Sequence, residues 1–187
     1  MNGIDDLISD ATRRMDKSVE STQVEFNTVR TGRASAALLD RIAVDYYGQQ
    51  TPLKQLATIN VPEPRMLTVQ PFDPSSIKEI ERAIQESELG LTPSNDGKVI
   101  RLPIPQLTEE RRKDLVKIVR QIAEDGKVAI RNVRRDADKH LKELKTKGDV
   151  GEDDERRAEE RVQKLTDEHT SKIDDLLRRK ETEITEV

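Results

Sequence analysis

The chain has 187 residues, of which 37% are charged, 33% are hydrophobic and only 2% are aromatic, with a net charge of −4. This composition disfavours a single large core around a deep substrate pocket and leaves disorder or long amphipathic helices with a narrow apolar stripe. The chain contains no cysteine, which excludes disulfides, thiol nucleophiles and cysteine-ligated metals.

The first residues give no sign of a targeting signal. Asp5 and Asp6 stand where a secretory signal peptide needs a basic region followed by an apolar run. The longest uncharged stretches have eight residues, at 46–53 and 55–62, far short of the roughly 20 needed to cross a bilayer. We therefore expect a cytoplasmic protein that has no membrane partner.

The first segment has the apolar spacing of a helix that packs on one side. Apolar residues recur there every three or four positions, and Thr22 fills the one gap in phase. Gly32 suits the end of such a helix. The residues predicted to pack are Ile4, Leu7, Ile8, Ala11, Met15, Val19, Phe26 and Val29.

The eight prolines all fall between residues 52 and 105. Because proline breaks helix interiors, the two flanks can be helical while the middle forms a compact α/β insert with many turns. The elements predicted within it are strands at 42–47, 66–70 and 99–102, a turn at 48–50, a hairpin turn at 95–97, and a helix that has Asp73 as its N-cap, begins at Pro74 and ends at Leu89-Gly90.

Two further helices follow the insert. Residues 108–147 read as one helix despite Gly126, because the apolar pattern continues in phase, and Gly148–Gly151 forms a turn before the third helix. The residues predicted to pack in the second helix are Leu115, Val119, Ile122, Gly126, Ala129, Val133, Ala137, His140 and Leu144. Those of the third are Ala158, Val162, Leu165, His169, Ile173, Leu176 and Ile184.

Three long helices with apolar stripes bury those stripes on one another, so the sequence predicts an antiparallel three-helix bundle. The fold class is α+β. Residues 1–31 and 106–187 are predicted to form the bundle, and residues 32–105 a small, β-sandwich-like inserted domain.

Residues suited to catalysis are scarce. There is no P-loop motif, and both histidines, His140 and His169, fall on or beside predicted packing stripes. The carboxylates lie at helical spacing on solvent faces, where paired-acid catalysis would lack a cleft. We therefore expect no catalytic residues, no metal and no cofactor, and a protein that is not an enzyme.

The near-neutral total charge hides an uneven distribution. Residues 107–151 carry 13 basic and 9 acidic groups, whereas residues 152–187 carry 8 basic and 13 acidic groups. One interpretation is that these helices pair through salt bridges along their flanks.

A second interpretation rests on a row of cations in the second helix. Lys127, Arg131 and Arg134 are spaced by four and three residues, with Arg120 one heptad earlier and Arg135 beside the row. Arginines at this spacing can follow phosphates, which they bind bidentately. With so few aromatics, contacts to the backbone of structured RNA fit better than stacking on unpaired bases.

Motifs over essentially the whole chain resemble the ribosome recycling factor family, which more often has aspartate where this chain has Glu88. The matching motifs are Arg30-Thr31-Gly32-Arg33-Ala34, Asp45-Tyr46-Tyr47-Gly48, Thr51-Pro52-Leu53, Gln55-Leu56-Ala57, Ser87-Glu88-Leu89-Gly90-Leu91, Ile100-Arg101-Leu102-Pro103, the run 105–113 and the run 128–136.

The resemblance implies an L-shaped, monomeric protein that binds the ribosome in the intersubunit space after termination. With elongation factor G and its GTP hydrolysis, such a protein separates the subunits while its small domain swivels on two linkers. The implied contacts to large-subunit rRNA are Arg131, Arg134 and Arg135, to which the spacing alone adds Lys127. The implied hinge residues are Arg30, Thr31, Gly32, Arg33, Pro103, Ile104, Pro105 and Gln106.

Two other functions compete with this one. A helical adaptor or chaperone-like interaction protein would explain the bundle and the charge split but gives no reason for the row of arginines. A hydrolase housed in the small domain would need a polar pocket that the sequence does not show.

Overall fold

The computed structural model describes residues 3–186, which divide into two compact units. Residues 3–30 and 110–186 form the helical unit, and residues 31–109 form the small unit. The helices are α1 (Gly3–Thr28), α2 (Ile77–Gln85), α3 (Glu109–Thr146) and α4 (Glu152–Thr185). The strands are β1 (Ala43–Tyr46), β2 (Gln49–Pro52), β3 (Ala57–Glu63), β4 (Met66–Pro71), β5 (Ser94–Asn95) and β6 (Ile100–Pro103). The predicted α+β fold class is confirmed.

Helices α3 and α4 run antiparallel along the helical unit. The start of α3 lies beside the end of α4, where Arg120 Nε is 2.7 Å from Glu181 Oε1. Where α3 ends and α4 begins, Lys145 Nζ is 2.7 Å from Glu155 Oε2. The Glu155 carboxylate raises the pKa of Lys145, first by its hydrogen bond and then by its charge. The five residues between the helices, 147–151, therefore form a tight turn.

Helix α1 runs parallel to α4 and is joined to it by a buried histidine. Near the starts of the two helices, Asp5 Oδ1 is 3.4 Å from Arg161 Nη1. Further along, His169 is almost fully buried, with Nε2 2.6 Å from Asp16 Oδ1 and Nδ1 2.7 Å from the Leu165 carbonyl oxygen. The two ring nitrogens thus each lie within hydrogen-bond distance of an oxygen, one on α1 and one on α4. His169 is thus an interfacial residue.

The buried row of α3 differs in part from the predicted one. Leu115, Val119, Gly126, Val133 and Ala137 are buried as predicted. The other buried residues of α3 are Ala123, Ile130 and Leu141, whereas the predicted Ile122, Ala129 and Leu144 are only half-buried and His140 is exposed. The predicted residues that are not buried line open grooves beside α1, with His140 and Leu144 in one groove and Ile122 and Ala129 in another.

Gly126 lies where the three long helices meet. A Cβ atom at this position would fall 2.9 Å from Ile173 Cδ1 of α4 and closer still to Thr22 Oγ1 of α1. A glycine in a helix interior costs about 1 kcal/mol relative to alanine. Here the missing side chain is what allows α1 and α4 to approach the middle of α3.

The small unit contains two antiparallel sheets around one apolar core. Strands β1 and β2 form a hairpin, and the other four are ordered β3-β4-β6-β5. The amphipathic helix α2 contributes Ile77, Ile80 and Ile84 to the core. The remaining core residues are Leu39, Ile42, Val44, Leu53, Leu56, Ala57, Leu67, Val69, Leu91, Ile100 and Leu102.

Two local predictions in the small unit were wrong. The predicted turn at 48–50 is a two-residue turn at Tyr47-Gly48, because Tyr47 adopts a positive φ of 51° and lets Gln49 pair with Tyr46. Helix α2 ends at Gln85 rather than at residue 89. The Ser87 hydroxyl and amide both donate to the Ile84 carbonyl, at 2.6 and 3.2 Å, and so close the last turn.

Candidate nucleic-acid interface and linkers

The predicted cations lie on the side of α3 that faces the edge of α4. Lys127 is the most enclosed of them, with a side chain only 22% exposed. Its Nζ is 2.5 Å from Asp174 Oδ1 on α4. Arg120 is bound to α4 in the same way through Glu181. These two cations join the helices, as the salt-bridge interpretation of the charge split predicts.

Arg131 and Arg134 are held more loosely. Arg131 Nη2 is 2.6 Å from Glu124 Oε1, a residue of the same helix, and the Arg131 side chain is 42% exposed. Arg134 Nη1 donates to Gln163 Oε1 on α4 at 3.3 Å, with no charge on the partner. Neither arginine is enclosed, so each can present part of its guanidinium to an outside anion.

Arg135 is exposed, and within residues 3–186 it makes no side-chain hydrogen bond or ion pair. Arg135 therefore does not pair with an acid of α4 among these residues. Salt bridges between the two helices account for Arg120 and Lys127 but leave this guanidinium unexplained. Three arginines thus share one solvent-facing patch, which we call the arginine patch: Arg131, Arg134 and Arg135.

A shallow depression beside Arg134 brings α4 side chains to the arginine patch. Asp138 and Gln163 line it, together with Arg156, Glu159 and Glu160 of α4. Burial raises the pKa of Asp138, and the charges of nearby Arg134 and Lys142 only partly oppose this. The patch is therefore a mixed surface in which carboxylates stand between cations.

The two linkers between the units lie together at one side of the small unit. Gly32 has a positive φ of 76°, and a Cβ atom there would lie 2.9 Å from Leu107 Cγ of the other linker. Thr31 is buried, whereas Arg30 is exposed. Arg33, Pro105 and Gln106 are also exposed.

Both linkers are also hydrogen-bonded to the same turn of the small unit. The Ala34 amide donates to the Pro64 carbonyl at 2.7 Å, and the Ile104 amide donates to the Arg65 carbonyl at 2.8 Å. Pro103 is the last residue of β6. Pro103 and Ile104, two of the predicted hinge residues, are thus built into the small unit's sheet and its flank.

Among the described residues there is no cluster of three or more histidine, aspartate or glutamate side chains that could hold a metal ion. None of the helices in that part of the chain is long and apolar enough to cross a membrane.

The partners of the cations were not predicted from the sequence. Glu124 stands in the same row as Arg120 and Arg131, at spacings of four and seven, and that spacing was available to find it. Gln163 and Asp174 lie on another helix. Only the register of α4 against α3 pairs them with the arginine patch and Lys127.

Comparison with known proteins gives a consistent result over the whole chain. The family model described as "Ribosome recycling factor" matches residues 22–185. The chain is 54% identical over 187 residues to the ribosome-recycling factor of Rubrobacter xylanophilus, covering 100% of both chains. It is 58% identical over 182 residues to that of Halalkalibacterium halodurans, covering 97% of this chain and 98% of the relative.

Solved structures agree with the sequence comparison. A solution structure of a ribosome recycling factor matches 100% of both chains with a TM-score of 0.72 and 43% identity. A second match, with a TM-score of 0.62 and 49% identity, covers 97% of this chain and 98% of that one. It is the T. thermophilus ribosome recycling factor, described with E. coli elongation factor G bound to the E. coli post-termination complex.

Proposed function

This chain belongs to the ribosome recycling factor family, and from that premise we propose how its two units serve recycling. The protein binds the ribosome after termination and, with elongation factor G and GTP, separates the subunits for a new round of translation. The family consists of translation factors rather than enzymes. The protein therefore contributes binding and displacement, while the GTPase of its partner supplies the chemistry.

The arginine patch is the proposed contact to large-subunit rRNA. The single observation that carries this proposal is Arg135, an exposed guanidinium that pairs with no side chain of the described residues. Arg131 and Arg134 lie within one turn of it and keep free N–H groups. Phosphates can accept two parallel hydrogen bonds from each guanidinium. Lys127 is the weakest of the four proposed contacts, because Asp174 already holds it.

The hinge is proposed to lie in the two linkers. Because the Ile104 amide is hydrogen-bonded to Arg65 and Pro103 belongs to β6, we place the pivot outside these two residues. The backbone that remains to turn is then Arg30–Arg33 in one linker and Pro105–Gln106 in the other. Two short linkers side by side restrict the small unit to a swivel, because neither linker can extend independently of the other.

The partners, location and oligomeric state of the protein are proposed from its role on the ribosome. The partners are the ribosome, through large-subunit rRNA, and elongation factor G. We place the protein in the cytoplasm, where ribosomes are recycled, and as a monomer, because the proposed contacts come from a single chain. An adaptor that never touches RNA would leave the exposed arginine patch without a role.

A subunit-splitting assay separates recycling from the adaptor alternative. Post-termination ribosomes are mixed with this protein, elongation factor G and GTP, and subunit separation is followed by light scattering, with each component omitted in turn. We expect separation only when all three are present. Separation that proceeds equally well without this protein would reject the proposed function.

A further inference from the structure

Glu124 interrupts the row of cations on α3 near its middle. It follows Arg120 by four residues and precedes Arg131 by seven, so it lies on the same side of the helix. Its Oε1 atom is 2.6 Å from Nη2 of Arg131, and the two side chains are 53% and 42% exposed. The row therefore carries a carboxylate in direct contact with one of its arginines.

The ion pair between Glu124 and Arg131 contributes little to the fold. Both partners belong to α3, so the pair joins no helices, unlike Lys127 with Asp174. The spacing of seven residues is outside the three or four at which side-chain pairs stabilise a helix. Exposed ion pairs of this kind contribute only about 0.2–1 kcal/mol to folding. Removing the charge should leave the fold nearly unchanged.

The same carboxylate has a large effect on any anion that approaches Arg131. A phosphate binds a guanidinium best through two parallel hydrogen bonds, and Nη2 is already occupied by Glu124. The phosphate must either displace the carboxylate or bind beside a like charge. Either case lowers the affinity. Displacing the carboxylate breaks its ion pair with Arg131, and binding beside it brings two negative charges together.

We propose, building on the RNA-binding role of the arginine patch, that Glu124 is a positioning residue that holds Arg131 in the free protein and weakens its grip on rRNA phosphates. Glu124 thereby limits the affinity of the protein for the ribosome. A factor that must leave after each round of subunit separation benefits from such a limit, since tighter binding would mainly slow its release.

The test compares Glu124→Gln with a matched control, Glu20→Gln. Glu20 is an exposed residue of α1 that pairs with no other side chain among residues 3–186, so its substitution makes the same change in net charge away from the cations. Binding of each variant to large subunits is measured over a range of salt concentrations. Each substitution is then repeated with Arg131→Ala, and thermal unfolding is recorded for every variant.

We expect Glu124→Gln to lower the Kd by about two- to fivefold at low salt and to steepen the salt dependence by up to about one released counterion. We expect little change with Glu20→Gln and no effect of Glu124→Gln once Arg131 is alanine. Equal effects of the two substitutions, or an effect that persists without Arg131, would overturn the role of Glu124. If Arg131→Ala alone left the Kd unchanged, the proposed RNA contact of Arg131 would instead be rejected.

Discussion

The hydroxyl of Thr22 occupies the space that a side chain at position 126 would need. Thr22 is buried on α1 and its Oγ1 donates to the Ser18 carbonyl at 2.8 Å, which fixes the hydroxyl against the backbone of α3 at Gly126. Ile173 of α4 closes the third side, with its Cδ1 2.9 Å from the place of a Cβ atom. The middle of the bundle is thus packed around a missing side chain.

Gly126→Ala should therefore destabilise the protein although alanine is the better helix former. Alanine gains about 1 kcal/mol of helix propensity, but overpacking of a closed core costs about 1–3 kcal/mol. We expect a net loss of about 1 kcal/mol in the free energy of unfolding, measured by urea denaturation.

A double-mutant cycle tests the cause. With Thr22→Ala in place, the hydroxyl is gone and the new methyl group has room, so Gly126→Ala should cost about 1 kcal/mol less than in the wild-type background. Additive effects of the two substitutions would show that Thr22 and Gly126 do not compete for this space.

Gly32→Ala should destabilise the small unit for two reasons. The positive φ of 76° strains any residue with a Cβ atom, and that atom would also meet Leu107 Cγ at 2.9 Å. Strain alone costs about 1–2 kcal/mol. We expect the total loss in unfolding free energy to exceed that by about 1 kcal/mol, the lower end for an overpacked contact.

Gly90→Ala is the matched control for this prediction. Gly90 has a similar φ of 66°, but nothing lies within 4 Å of the place of its Cβ atom. The difference between the two variants isolates the contact between the linkers. Equal losses would mean that Leu107 moves aside freely and that the linkers are not packed on each other.

Tyr46 should ionise at higher pH than an ordinary tyrosine. Its hydroxyl donates to Asp73 Oδ2 at 3.0 Å, and this hydrogen bond, with smaller contributions from burial and the Asp73 charge, raises the pKa of Tyr46. The chain has only two tyrosines and no tryptophan. In Tyr47→Phe, the ultraviolet titration of tyrosinate therefore reports on Tyr46 alone.

The raised pKa of Tyr46 makes the free energy of unfolding depend on pH in the alkaline range. Because the pKa of Tyr46 is raised in the folded state, its stabilising contribution is complete below the unfolded value of about 10 and is lost as the pH rises through the folded value. Adding Asp73→Asn to the Tyr47→Phe chain should move the Tyr46 titration back toward an ordinary pKa. An unchanged titration would mean that the hydrogen bond does not form in solution.

The long helices were predictable because a stripe of apolar residues repeats for many turns, as from Leu115 to Ala137. The side of α3 that is most buried was not predictable in full. Ile122 and Ala123 are adjacent and both apolar, yet Ala123 is the buried one and Ile122 lines an open groove beside α1. The spacing of apolar residues along one helix does not show which of them the neighbouring helices cover.

The cationic residues of the candidate site could be found by spacing, but their partners could not. The sequence places Lys127 in the row of cations and Arg135 beside it, with equal charge. The structure distinguishes them, since Lys127 is held by Asp174 of α4 and Arg135 has no side-chain partner within residues 3–186. The Tyr47 turn was missed for a related reason, because a positive φ at a tyrosine has no signature in a single sequence.

The arginine patch is most directly tested by the salt dependence of ribosome binding. Co-sedimentation with ribosomes is measured across salt concentrations for the wild-type protein and for Arg131→Ala with Arg134→Ala, with Lys17→Ala plus Lys172→Ala, two exposed lysines of α1 and α4, as the control. We predict that binding of the wild type weakens steeply with salt, and that the arginine double variant binds more weakly, with a salt slope lower by about 1–2. Arginine variants that bind with wild-type affinity and slope would contradict the assignment of this face of α3 to rRNA.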